Sequence, residues 1–280
     1  MTLGSIVSVQ FGSAFAKYLF PLAGPVAMVW LRVATAGVLL ALVVRPRLHG
    51  HSRDDWLVLL GYSVALVTMN VTFYQAIARI PVGLAVTIEF LGPLGVALYR
   101  SRGIRDLVWV VLAGAGVALL GWSPGSLTWA GVGFALSAAM CWAAYILVAP
   151  HVGHRWPGAE PVAYANILGG IVLLVPVLSL YGHVLANPWV WVGGLGVGLL
   201  SSVVPYALEL NALRTLDQRV FSIMMSLEPA MAALSALIIL GERLTGTDMV
   251  AMGCVILASV GITWSAGRTG RGLKRGPKQI

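Results

Sequence analysis

The chain has 280 residues, of which 59% are hydrophobic and 10% charged, with a mean hydropathy of +0.88 and a formal net charge of +8. An ordinary soluble domain carries about 25% charged residues and about 45–50% apolar ones, and no soluble core hides this much apolar surface behind a wettable shell. The composition therefore excludes a secreted disulfide scaffold, a nucleic-acid-binding domain and most soluble enzymes.

Apolar windows of the length that crosses a bilayer core of about 30 Å recur between short polar breaks. In chain order they fall at 3–20, 24–44, 56–78, 82–99, 106–122, 129–149, 161–181, 189–210, 219–240 and 247–266, which predicts ten transmembrane helices in an all-α integral membrane protein. The first window begins almost at Met1 with no positive leader and no small-residue cleavage site, so it reads as a retained span. Cys141 and Cys254 lie inside separate windows and read as packing residues.

Basic residues fix the orientation. With a cytoplasmic N-terminus, the inside segments hold fourteen Lys and Arg residues, from Arg45 to Lys278, and the outside segments hold three, Lys17, Arg79 and Arg243. That alternation predicts an N-in, C-in topology. Lys17, close to the outer end of the first span, reads as a snorkelling side chain. The basic tail over 267–280 reads as a solvated positive-inside anchor, with attraction to anionic lipid headgroups as the alternative.

The two halves match at one offset of 136 residues: Pro25-Val26-Ala27 with Pro161-Val162-Ala163, Ala76 with Ala212, Leu91 with Leu227 and Pro93 with Pro229. A first repeat is expected over 1–122 and a second over 129–266, with five helices each. Because five is odd, the second copy enters the membrane upside down. Inverted repeats of this kind mark secondary transporters, whose substrate sits near the bilayer midplane between the halves.

Charges inside a span are costly and need a reason. Arg32 in the second span, Glu89 in the fourth and Glu228 in the ninth stand out, whereas Glu209 is expected near the membrane surface and solvated. Pro93 has no backbone N–H, so the carbonyl four residues earlier, that of Glu89, is freed and a kink is expected there. A carboxylate and a loose carbonyl at one level would suit a substrate ammonium or an exchanging proton. Pro229 is the equivalent kink in the second half, with Glu228 directly before it. The competing reading makes Glu89 or Glu228 half of a structural ion pair with Arg32. Arg32 could instead fork onto a substrate carboxylate. Uncharged candidates for the cavity wall are Asn70 and Tyr74, four apart on one helix face, with Tyr145 and Tyr206. Trp142, Asn166 and Asn211 are weaker ones, and each of these also reads as a helix-to-helix hydrogen bond or packing residue.

Several apparent motifs carry nothing. The glycines of 193–198 lie inside a span with no preceding strand and read as close helix packing, not a dinucleotide loop. His151 and His154 have no partners at metal spacing. No nucleophile–base pair, P-loop or zinc motif is present, so no enzyme activity, cofactor or metal is expected.

The chain resembles the EamA-type ten-helix exporters of the drug/metabolite transporter superfamily, and within them the threonine/homoserine exporter branch. The residues that carry the likeness are Gly12-Ser13-Ala14-Phe15-Ala16-Lys17, Leu31-Arg32, Glu89-Phe90-Leu91-Gly92-Pro93-Leu94, Ser226-Leu227-Glu228-Pro229-Ala230 and Leu240-Gly241-Glu242-Arg243-Leu244. The last two are general features of the superfamily; the Glu-Phe-Leu-Gly-Pro and Ala-Lys elements point to the amino-acid branch. The resemblance implies efflux of small amino acids across the plasma membrane. With no nucleotide site, an ion gradient or the substrate's own gradient is the expected energy source, and proton antiport through Glu89 the expected coupling. The alternative cargo is a cationic drug or another metabolite.

Overall fold

The structure is a computed structural model that describes residues 1–47, 50–100, 107–120, 127–215 and 218–273. Its described residues form helices and connecting turns, with no strand among them. The first half holds α1 (Thr2–Tyr18), α2 (Phe20–Val44), α3 (Arg53–Ile77), α4 (Val82–Glu89), α5 (Leu91–Arg100) and α6 (Leu107–Leu120). The second holds α7 (Trp129–Gly153), α8 (Glu160–Tyr181), α9 (Pro188–Gly198), α10 (Val204–Thr215), α11 (Gln218–Met225), α12 (Glu228–Leu240) and α13 (Gly246–Leu273).

Local chemistry sets the ends. Ser52 and Asp55 form a reciprocal capping box at the start of α3, with Asp54 and Asp55 in its first turn. Thr128 accepts from the Gly131 N–H to begin α7, and Asn187 accepts from the Trp189 N–H to begin α9. Gly24, with φ of 74°, interrupts α2 just before Pro25, and Gly241, with φ of 68°, stops α12.

Eight described segments are long and apolar enough to cross a membrane: Phe20–Val44, Arg53–Ile77, Val82–Tyr99, Trp129–Gly153, Glu160–Ala186, Pro188–Glu209, Val220–Leu240 and Gly246–Trp264; Leu107–Leu119 is a shorter apolar helix. The remaining expected span, α1, is a 17-residue helix whose Ser5, Ser8, Gln10 and Ser13 are buried. Those polar residues lower its hydropathy, and facing inward keeps them from lipid.

The molecule is inside-out relative to a soluble bundle. Val43, Leu57, Val111, Val175 and Trp189 are exposed, while Gln10, Asn70, Glu89, Asn166 and Glu228 are buried. An all-round apolar exterior of this kind suits lipid rather than water. Helix packing runs mainly between the halves: α3 lies against α7, α2 against α8, α6 against α13 and α1 against α12. Glycines allow the closest approaches. A Cβ on Gly194 would sit 2.7 Å from Leu31 Cβ and one on Gly198 would sit 2.6 Å from Thr35 Cβ, so α9 presses directly on the α2 turns that carry Arg32.

Candidate functional site

A cavity of about 250 Å³ opens where these helices converge. Its walls carry Gln10 and Ser13 of α1, Arg32 of α2, Asn70 of α3, Glu89 at the end of α4, Trp142 and Tyr145 of α7, and Asn166 of α8. Ser201, Ser202, Tyr206 and Glu209 come from the α9–α10 segment, and Glu228 from the start of α12.

Three of the contributing segments are broken helices. Between α9 and α10 the backbone widens into a π-helical turn over Leu199–Val203. Pro205 follows and offers no N–H to the carbonyl of Ser201, four residues back, or to that of Leu200, five back. Other helices take these oxygens: Ser8 Oγ of α1 donates to Leu200 O at 2.7 Å, and Arg32 Nη2 of α2 donates to Ser201 O at 3.1 Å. Arg32 Nε also donates to Ser202 Oγ at 3.2 Å. The second interruption is at Phe90, which leaves Glu89 as the last residue of α4, with Pro93 in the first turn of α5. The third is at Ser226 and Leu227, which makes Glu228 the first residue of α12 with Pro229 next to it. Both carboxylates thus sit at helix ends, where main-chain groups lack helical partners.

Glu89 and Glu228 are each 8% exposed. Among the described residues, contact ion pairs join Lys17 to Glu242 and Arg155 to Asp55, and Arg32 pairs with none of the three cavity carboxylates. Arg32 lies instead between the Ser201–Ser202 segment and the face of Tyr74, 5.6 Å from its ring centroid.

Six of the seven residues singled out from the sequence as substrate or coupling candidates line the cavity: Glu89, Arg32, Glu228, Asn70, Tyr145 and Tyr206. Tyr74 does not. It is fully buried behind Arg32, against Phe20 and Phe73. Asn70 donates to Leu66 O of its own helix at 2.8 Å, and Tyr145 meets Tyr62 hydroxyl to hydroxyl at 3.2 Å.

Two expectations are corrected. Glu209 is no solvated surface acid; it is half-buried, lines the cavity and accepts from Ser5 Oγ at 2.6 Å. Lys17 does not snorkel, because Glu242 Oε1 stands 2.6 Å from its Nζ and the Ile80 carbonyl accepts from it at 2.9 Å. Glu242 Oε2 in turn accepts from the Val82 N–H at 2.9 Å, so one ion pair ties the end of α1, the start of α4 and the end of α12 together. The side chains of Asn211, Trp122, Arg100, Arg102, Arg105, Arg214 and Arg219, and those of the basic tail, lie outside the described residues.

Gln10, Ser13, Ser201 and Ser202 were not anticipated. The one signal for the serines is a polar pair four and three residues before Pro205 inside an apolar run.

A polar cavity enclosed by broken helices in an apolar shell is the layout of a membrane transporter, and comparison with known proteins agrees. Residues 129–264 match the EamA-like transporter family. The chain is 40% identical over 265 residues to the threonine/homoserine exporter RhtA of Escherichia coli K12, covering 93% of this chain and 89% of that one. It is 39% identical over 264 residues to RhtA of Salmonella typhimurium, covering 91% and 88%. An uncharacterized transporter of Archaeoglobus fulgidus is 25% identical over 211 residues, covering 74% and 76%. One solved crystal structure superposes with a TM-score of 0.65 at 17% identity, over 96% of this chain and 98% of that one, which shows a shared fold. The chain belongs to the EamA-like transporters of the drug/metabolite transporter superfamily, in the branch of the threonine/homoserine exporter RhtA. It is a multi-pass cell-membrane transporter and not an enzyme.

Proposed function

We propose that this protein exports small amino acids of the threonine and homoserine type by alternating access of two inverted five-helix halves, 1–122 and 129–266, driven by proton entry. The observation that carries the reading is the cavity itself. It sets one guanidinium, Arg32, against the carboxylates of Glu89, Glu228 and Glu209 without a contact ion pair among them. A zwitterion fits this division. Its carboxylate forks onto Arg32, and its ammonium meets Glu89 or Glu228. A carboxylate in such a site is neutralised by a bound cation or by a proton, so Glu89 can exchange one for the other as cargo leaves.

The packing pattern supports the inverted halves. Exchanging each helix for its counterpart one repeat along turns the α1–α12 contact into the α7–α5 contact and the α3–α7 contact into the α10–α1 contact, and all four contacts are present. The tenfold span count of this reading takes α1 and α6 as spans beside the eight longer segments.

The test is counterflow of labelled threonine and homoserine in liposomes containing the purified chain. Exchange above that of empty liposomes, competed by either unlabelled amino acid, supports the reading. Its absence removes the amino-acid cargo. The three carboxylates to one guanidinium favour a second reading, a cationic amphipathic cargo, for which such a cation would exchange in the same liposomes and threonine would not.

A further inference from the structure

Seven buried side-chain oxygens among the described residues have no hydrogen-bond partner, and two of them belong to residues that line the cavity, Gln10 and Ser201. Native proteins pair nearly all such atoms, so an orphan on a residue that lines a binding site calls for a partner that arrives from outside. Ser201 is not free to receive one. A Cβ on Gly12 would collide with its Oγ, which shows the hydroxyl pressed against the α1 backbone.

Gln10 is free. It is 2% exposed, sits at the middle of α1, and its Oε1 has no partner. Its backbone is pinned at this level, because Ser235 Oγ of α12 donates to the Gln10 carbonyl at 3.0 Å. The other amides on the cavity wall, Asn70 and Asn166, each donate their N–H to the carbonyl four residues back on their own helices, at 2.8 Å, and neither holds a buried unpaired oxygen.

We infer that Gln10 is the specificity-determining residue of the site, its side-chain oxygen accepting a hydrogen bond from the hydroxyl on the cargo's side chain. The inference rests on the amino-acid reading above. With the cargo's carboxylate on Arg32 and its ammonium on a glutamate, the hydroxyl is the group left to place. A neutral amide oxygen suits an O–H donor and carries no charge to compete for the ammonium. Threonine and homoserine are the two side-chain-hydroxylated forms of one carbon skeleton, 2-aminobutyrate. A site that spends a buried acceptor on the hydroxyl disfavours the deoxy analogue, which leaves that acceptor unpaired again.

The experiment compares counterflow of labelled threonine and labelled 2-aminobutyrate in liposomes holding the full chain, wild type against Gln10→Met. Wild type is expected to favour threonine by about tenfold or more. In Gln10→Met the ratio of the threonine rate to the 2-aminobutyrate rate should fall to about one, and measurable 2-aminobutyrate counterflow certifies a folded transporter. If Gln10→Met does not insert, Gln10→Asn, whose amide is drawn back by one methylene, should show the same loss of preference. An unchanged preference in the variant, or an equal fall for both cargoes, overturns the assignment. So does a wild type that carries both cargoes equally. A wild type that carries neither contradicts the amino-acid reading itself, and the role of Gln10 with it.

Discussion

Arg32 Nη2 donates to the carbonyl of Ser201 at 3.1 Å, an oxygen to which Pro205, four residues on, can offer no N–H. This single bond joins the first half of the molecule to the break in the second. It also holds the guanidinium at the cavity wall without spending it on Glu89 or Glu228. The guanidinium can therefore trade a neutral carbonyl for a cargo carboxylate, an exchange that strengthens its hydrogen bond.

Arg32→Lys keeps the charge and loses the fork that serves Ser201 O and Ser202 Oγ together. Threonine counterflow should fall about tenfold or more, with the protein still inserted. Full activity in this variant would show that a point charge suffices and that the fork is idle.

Pro205→Ala restores an N–H next to the π-helical turn and lets the helix compete with Arg32 for Ser201 O. The variant should unfold in detergent at no lower temperature than wild type and yet transport several times more slowly. Lower stability with unaltered transport would mean that the break is architectural only.

The Lys17–Glu242 pair is half-buried and joins three helix ends. A double-mutant cycle with Lys17→Met and Glu242→Gln, read by thermal unfolding, should give a coupling of about 1 kcal/mol. Gln keeps the acceptor for the Val82 N–H, so the cycle isolates the charge pair. A coupling of zero would mean that the two charges act separately.

Gly12 and Gly61 make a matched contrast. A Cβ on Gly12 meets Ser201, with its backbone N 3.0 Å away, whereas one on Gly61 meets nothing within 4 Å. Gly12→Ala should cost about 1–3 kcal/mol through overpacking, and Gly61→Ala should be neutral or stabilise by about 0.5–1 kcal/mol through helix propensity. Equal effects on thermal unfolding would contradict the close approach of α1 to the π-helical turn.

Arg32, Glu89 and Glu228 were legible in the sequence because a charge in an apolar run has few explanations and each costs free energy. Pro93, four residues after Glu89, and Pro229, next to Glu228, placed the two acids in the span order. Lys17 misled because its partner, Glu242, lies at the far end of the chain, and nothing local to Lys17 announces it. Glu209 misled because it falls at the end of its apolar run, where a solvated acid is the simplest reading, while the assembled helices set it at the cavity wall against Ser5. Tyr74 shares a helical spacing with Asn70, but α2 crosses in front of it and Arg32 takes the place at the wall. Gln10 left no trace, because a single neutral polar residue in a span has many harmless uses and its empty acceptor shows only once the helices are assembled.

The most direct test of the account is uptake of labelled threonine into everted membrane vesicles with the lumen made acid, comparing wild type with Glu89→Gln. In that arrangement protons leave the lumen as cargo enters it, which is export in the cell. The account predicts accumulation that depends on the pH gradient in wild type and none in Glu89→Gln, with both proteins present at equal levels. Equal, gradient-dependent accumulation by Glu89→Gln would contradict the claim that this carboxylate exchanges a proton for the cargo.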